Sequence, residues 1–224
     1  MYPLLSSLLS GLLLVVASGL PSLAAPSQEP TRGYVGTIAG AEAHDALVAV
    51  VVAPDGQAIA YVCSADDAWN QEHSRWYTGE LTAQGALAAT ARDGKQLVGQ
   101  VYGDTLSGTV GGLAFRAELV PEGTAGLYRG RVDDEVHAVI EAPDGRRVGG
   151  VWYASDGGWA WTWRFTPATM VDRAPGALRV QRPPEAPALA APPAGPQPPP
   201  GQGQQFVFIE LRSCVSAFDQ CGNI

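Results

Sequence analysis

A β-hairpin pattern that occurs twice constrains the fold of this chain more than any other feature of its sequence. Residues 49–56 read AVVVAPDG, and residues 138–145 read AVIEAPDG. The β-branched runs favour strands. In the turn, proline presets φ, aspartate bonds to the neighbouring backbone and glycine accepts a positive φ. Each copy therefore predicts an antiparallel hairpin.

The chain from Tyr34 to Phe165 continues this alternation of short strands and turns. Turn residues recur about every eight to twelve residues, and no stretch shows the helical period of about 3.6 residues. We therefore predict an all-β fold in which an antiparallel meander closes into a barrel or sandwich, and the many short connections favour the barrel. This domain is assigned to residues 33–166, with residues 64–78 as a polar loop.

The N-terminal segment, residues 1–25, has the composition of an export signal. The run from Leu4 to Leu23 is apolar and uncharged, and Ser22-Leu23-Ala24 offers small residues for cleavage. The alternative is an uncleaved anchor, because the segment has no Lys or Arg and its apolar run approaches the length of a membrane span. We expect a secreted or cell-envelope protein.

Composition changes after Thr166. Residues 167–204 are rich in proline and predict a polyproline-like or disordered linker without a core of its own. The terminal segment, residues 205–224, begins with a strand-like run from Gln205 to Leu211. Such a strand pairs with an edge of its own domain or with another chain, and the tether favours its own domain.

Charge and motifs exclude several function classes. The net charge of −8, without a basic cluster in the sequence, argues against nucleic acid as a partner. No phosphate loop, dinucleotide fingerprint or nucleophile elbow is present, so no cofactor and no catalytic residue are assigned. His44, His73 and His137 lack metal-ligand spacing, and no metal site is predicted; His137 is expected at a rim or on the surface.

Aromatic residues supply the candidate ligand site. Trp159, Trp161 and Trp163 alternate along the last predicted barrel strand and should share one face. A row of indoles is typical of carbohydrate-binding surfaces, and the alternative is that this face lines the core. Further ligand candidates are the Asp-x-x-Trp motif of Asp66 and Trp69 and its counterpart after the second hairpin, Asp156 with Trp159. Trp76, which lies between the two motifs, completes the set.

The cysteines predict one disulfide. Cys214 and Cys221 are close in sequence and outside the core, so we expect them to pair after export. Cys63 ends an apolar strand and is expected to be a buried, inert thiol. Pairing of Cys63 with a tail cysteine is the alternative.

Four short motifs carry a resemblance. YVGTI at residues 34–38, AYVC at 60–63, WYTG at 76–79 and GLYR at 126–129 resemble a group of exported bacterial proteins of unknown function. The resemblance extends over about Tyr34 to Trp152. It implies an exported β-domain and carries no catalytic residues.

These observations predict a non-catalytic binding or interaction module at the cell surface. The expected partner is a cell-envelope glycan or another envelope protein. The first alternative is a polysaccharide-binding protein that uses the tryptophan row. The second is a carboxylate-dependent hydrolase, which needs two carboxylates across a cleft, although most acidic residues here fall in turns. The third is a structural role in which the terminal strand docks on a neighbour.

Overall fold

The computed structural model describes residues 29–40, 45–182 and 207–222, and within them the chain is all-β, as predicted. The first eight strands, β1 to β8, form a closed antiparallel barrel in sequence order. They are β1 (Arg32–Ile38), β2 (Leu47–Val52), β3 (Gln57–Cys63), β4 (Arg75–Leu81), β5 (Ala86–Ala91), β6 (Gln96–Tyr102), β7 (Thr105–Val110) and β8 (Leu113–Val120). The predicted barrel is therefore confirmed, but it closes at Val120, and the later strands of the predicted range 33–166, including the predicted last barrel strand with Trp159, belong to a second sheet.

Alternating side chains fill the barrel. Val48, Val50, Tyr77, Leu97 and Phe115 belong to one buried cluster in its interior. Successive side chains of a strand point to opposite faces. On β2 and β3, the residues that alternate with the interior ones therefore face outward.

Two glycines let the barrel strands approach closely. A Cβ on Gly36 of β1 would lie 1.8 Å from the carbonyl oxygen of Arg116 on β8, at the seam that closes the barrel. A Cβ on Gly79 of β4 would lie 2.0 Å from the carbonyl oxygen of Ala88 on β5. Only glycine fits where backbones come this close.

The second sheet follows the barrel and packs on its outside. Its strands are β9 (Gly126–Val132), β10 (Glu135–Glu141), β11 (Arg147–Tyr153), β12 (Trp159–Trp163), β13 (Val171–Ala174), β14 (Ala177–Gln181) and β15 (Phe208–Ser213). The spatial order is β12-β11-β10-β9-β15-β14-β13, all antiparallel. The terminal strand β15 thus lies between β9 and β14, so it pairs within its own chain.

Part of the predicted linker is folded. Residues 171–181, inside the range 167–204, form the hairpin of β13 and β14, so the prediction of a linker without structure was wrong for them. Val171, Leu178 and Val180 pack into the second sheet, and the turn at Pro175-Gly176 joins the two strands. Residues 183–204 of the predicted linker lie outside the described residues.

The two related hairpins pack against each other. The outward side chains of β2 and β3 and one face of β10 and β11 form a single buried cluster. Equivalent positions of the two copies belong to this cluster: Ala49 and Ala138, Val51 and Ile140, Ile59 and Val148. Both turns have the predicted chemistry, since Gly56 and Gly145 have φ of +90° and +85°, and Asp55 and Asp144 each accept the backbone N–H two residues later at 3.0 Å.

The chain end closes over this interface. Cys214 and Cys221 form a disulfide and are both buried in the same cluster, and Cys221 lies on helix α2 (Phe218–Gly222). The predicted disulfide is confirmed, and Cys63 is a buried free thiol.

The prediction of a polar loop at residues 64–78 was wrong. This segment contains helix α1 (Asp67–His73) and the start of β4. Asp66 is the N-cap of α1 and accepts the N–H of Trp69 at 2.7 Å, which is the bond that aspartate provides at helix starts. Seven residues are too few to show a helical period in the sequence.

No helix within residues 29–40, 45–182 and 207–222 is long and apolar enough to cross a bilayer. The predicted export signal, residues 1–25, lies outside the described residues.

Candidate ligand-binding cleft

A cleft of about 950 Å³ opens where the second sheet meets the outer wall of the barrel. Helix α1, strand β4 and the β5–β6 turn form its barrel side, and β9 with the β11–β12 connection forms the opposite side. Its lining combines aromatic and arginine side chains: Arg75, Trp76, Arg92, Arg129, Arg131, Trp152, Tyr153 and Trp159. The volume is within the range of small-molecule sites, about 300–1,000 Å³.

Three tryptophans from different strands line this cleft. Trp76 on β4 packs on Tyr61 with ring centroids 4.6 Å apart, and Trp152 on β11 meets Trp159 edge to face at 5.0 Å. The Trp152 indole donates to the Tyr61 hydroxyl at 3.3 Å, which ties the sheet to the barrel. Trp76 and Trp152 are 8% and 9% exposed and form the floor, whereas Trp159 is only partly buried and forms a wall.

A β-bulge separates Trp159 from the other two tryptophans of its strand. Val151 pairs with Trp161, but Trp152 pairs with Trp159, so one extra residue lies on β12. Since a one-residue shift reverses the face of a side chain, Trp159 turns toward the barrel. Its ring occupies the space over Gly150, where a Cβ would lie 2.2 Å from the indole. The prediction of a single face for the whole row was therefore wrong.

Trp161 and Trp163 lie on the opposite face of the second sheet. They belong to a buried cluster with Val139, Leu178 and Ile209. Their exposed fractions are 9% and 1%, so these two residues fit the core alternative and do not line the cleft.

Four arginines surround the aromatic floor. The Arg129 guanidinium lies 5.5 Å from the centre of the Trp76 ring, a cation–π distance. Burial lowers the pKa of Arg129, and the positive charge of Arg131 two residues along β9 lowers it further. Arg92 and Arg131 are exposed and donate to the backbone carbonyls of Asp156 and Asp133, both at 3.1 Å. These bonds orient the two guanidinium groups, and neither forms an ion pair within the described residues.

One carboxylate, Asp93, is among the residues that line the cleft. Partial burial would raise its pKa, but the hydrogen bond from Arg75 Nε at 2.8 Å and the N–H of Lys95 outweigh this and lower the pKa. Asp93 is thus ionised and holds Arg75 in place.

The Asp-x-x-Trp motifs have structural contacts of their own. Asp66 caps α1, and Trp69 packs in the barrel interior, outside the cleft. Asp156 accepts the Gly158 N–H at 2.6 Å in the turn before β12. Of the predicted ligand residues, Trp76 and Trp159 are brought together in the cleft, and Trp69, Trp161 and Trp163 are not.

A buried set of ion pairs lies on the face of the second sheet that points away from the barrel. Glu141 on β10 forms ion pairs with Arg147 and with Arg173 on β13, and Glu135 bonds to Arg182 at 2.7 Å. Because β10 and β13 are far apart in the sheet order yet their side chains meet, the sheet curls strongly around this face.

His137 lies in the middle of that enclosed face and is fully buried, so its expected place at a rim or on the surface was wrong. Its ring is 5.9 Å and 5.7 Å from those of Trp161 and Trp163. Loss of solvent lowers its pKa to about 4, although Glu135, with a carboxylate oxygen 3.2 Å from Nε2, opposes this shift. The neutral ring is therefore the form at ordinary pH.

Neither a reactive thiol nor a metal site is found among the described residues. Burial raises the pKa of the Cys63 thiol to about 12, so it is no nucleophile at neutral pH. Within the part of the chain that the structure describes, no three His, Cys, Asp or Glu side chains come close enough to hold a metal ion. His44 lies outside that part.

Sequence reasoning missed the arginines and Trp152. Arg75, Arg92, Arg129 and Arg131 come from three segments and form no run in the sequence. The one available signal was the arginine pair on alternate positions of β9, since residues two apart on a strand share a face.

Comparison of the chain with protein-family models, with curated proteins and with solved structures finds no match. The resemblance to exported bacterial β-domains stays a prediction.

Proposed function

We propose that this protein is a non-catalytic binding module whose ligand is a glycan held in the cleft between the barrel and the second sheet. The observation that carries the proposal is the convergence of Trp76, Trp152 and Trp159 in one cleft of about 950 Å³. Flat aromatic rings offer an apolar surface for a sugar ring, and the exposed guanidinium groups of Arg92 and Arg131 in the same cleft offer donors for its hydroxyls.

The place of the protein in the cell is part of this proposal. The Cys214–Cys221 disulfide is compatible with an exported protein, because such bonds persist in oxidising compartments. Together with the predicted export signal, it supports a secreted or cell-envelope location, where glycans are abundant.

Hydrolysis has less support at this site. A glycosidase needs two carboxyl groups across the scissile bond, and Asp93, ion-paired with Arg75, is the one carboxylate among the described residues that line the cleft. Binding without turnover fits this lining better.

The test is retention of the mature protein on insoluble glycans, first of the wild type and then of Trp159→Ala. Trp159 is the partly exposed wall of the cleft, so its loss should abolish retention while the thermal unfolding curve remains cooperative. Retention by Trp159→Ala equal to that of the wild type would contradict the proposal.

Tyr102→Ala is the matched control. Tyr102 is an aromatic residue at the β6–β7 turn, 72% exposed and outside the cleft. We expect Tyr102→Ala to be retained like the wild type, which separates binding in the cleft from nonspecific adsorption to exposed aromatic rings.

A further inference from the structure

The charge of the cleft narrows the class of its ligand. Among the described residues, four arginines and one aspartate line it, although the whole chain carries a net charge of −8. On an acidic protein a local excess of positive charge attracts anions to one place and leaves the rest of the surface repulsive to them.

Two of these arginines are available to a ligand. Arg92 on the β5–β6 turn and Arg131 on β9 are exposed on opposite sides of the cleft. No salt bridge of either residue is seen among the described residues, where their acceptors are backbone carbonyls. A guanidinium held in this way keeps donors for the two oxygens of a carboxylate.

An aromatic ring lines the cleft together with these charges. Trp159 lies on the side of the second sheet and is partly buried. We propose that the cleft binds an acidic glycan, with a sugar ring against Trp159 and carboxylates at Arg92 and Arg131. This inference rests on the proposed function, since it specifies the glycan.

Other polyanions fit the observations less well. Single-stranded nucleic acid also combines stacking with phosphate contacts, but the charge of −8 opposes a long polyphosphate whose chain runs beyond the cleft. An acidic peptide would satisfy the arginines and leave the aromatic wall without a flat partner.

The experiment measures binding of an oligogalacturonate hexamer and of its fully methyl-esterified form to the full-length protein by isothermal titration calorimetry. The two probes share their rings and differ in charge. We expect the acid to bind at least tenfold more tightly, with an affinity that falls as salt is added. The Arg92→Gln/Arg131→Gln variant should bind both probes equally.

Arg116→Gln is the matched control, because Arg116 lies on β8 outside the cleft, paired with Glu118 at 2.7 Å. It should bind the acid like the wild type.

Equal binding of acid and ester, both lost in Trp159→Ala, would overturn the acidic ligand and leave the glycan-binding function. No binding of either probe, together with no retention on any insoluble glycan, would overturn both. Tighter binding of a thymidine oligonucleotide than of the acid would overturn the glycan in favour of nucleic acid.

Discussion

At the scale of single residues, the environment of each tryptophan determines its role. Trp159 and Trp161 are two positions apart on β12, yet one lines the cleft and the other packs beside His137. The Arg182 guanidinium covers the Trp161 ring at 5.0 Å, which completes its burial. A substitution at either position therefore reports on a different property.

Replacement of Trp161 by alanine should affect stability. A buried tryptophan cut to alanine leaves a cavity and costs about 3–5 kcal/mol. We expect a loss of that size in the free energy of unfolding from urea titrations of Trp161→Ala. A loss below about 1 kcal/mol, as at surface positions, would contradict its place in the core.

His137 should make the protein sensitive to acid. Its pKa is lowered from 6.5 to about 4 in the folded state, so the unfolded chain takes up the proton at higher pH. The stability due to the neutral ring is complete above about pH 6.5 and is lost as the pH falls toward 4. It amounts to roughly 3 kcal/mol at most, since one pKa unit corresponds to about 1.4 kcal/mol.

The measurement is the free energy of unfolding at several pH values for the wild type and for His137→Phe, which cannot take up a proton. The variant should lose less stability than the wild type between pH 6.5 and 4. His73→Phe, at a more exposed histidine on α1, is the control and should follow the wild type. Parallel curves for the wild type and His137→Phe would contradict the assignment.

At the scale of elements, glycine decides where strands can meet. The β1–β8 pairing closes the barrel, and Gly36 lies opposite Ala117 in its register. The contact that a side chain would make at Gly36 is with backbone, which cannot move aside as a flexible side chain can.

Gly36→Ala should therefore weaken barrel closure. A Cβ 1.8 Å from a carbonyl oxygen forces β1 and β8 apart, and overpacking of this kind typically costs about 1–3 kcal/mol or more. Hydrogen exchange should show faster exchange along β1 and β8.

Gly94→Ala is the control, because open space surrounds Gly94. Any loss of stability in this variant, about 1 kcal/mol, comes from the φ of +83° at Gly94. Equal losses in the two variants would contradict the close-contact explanation.

At the scale of the whole molecule, the chain end holds the two sheets together. Strand β15 links β9 to β14, and the Cys214 N–H donates to the Leu127 carbonyl at 2.8 Å. The disulfide then places Cys221 in the cluster between barrel and second sheet.

Reduction of the disulfide should lower the stability by about 2–3 kcal/mol, because a short closed loop no longer limits the unfolded chain. Thermal or urea unfolding with and without reductant measures this. The Cys214→Ala/Cys221→Ala variant should show no response to reductant. A response in that variant, whose one remaining cysteine Cys63 has no partner within the chain, would contradict the assignment of the effect to the Cys214–Cys221 bond.

Local chemistry by itself determined the hairpins, their turns, the all-β class and the disulfide. Strand alternation and Ala-Pro-Asp-Gly turns act over a few residues, so they can be read from adjacent positions, and both predicted hairpins form, as β2–β3 and β10–β11. Pairing of Cys214 with Cys221 depends on a short loop and was equally accessible.

Tertiary structure alone decided the closure of the barrel at Val120, the insertion of β15 and the composition of the cleft. Trp159 lies on the opposite face from Trp161 because of a β-bulge, and no local sequence pattern predicts that bulge. Arg92 and Arg131 line the same cleft because two separate sheets pack there. His137 is buried because β13 and β14 curl over β10, and contacts between segments so distant in sequence depend on packing of the whole chain.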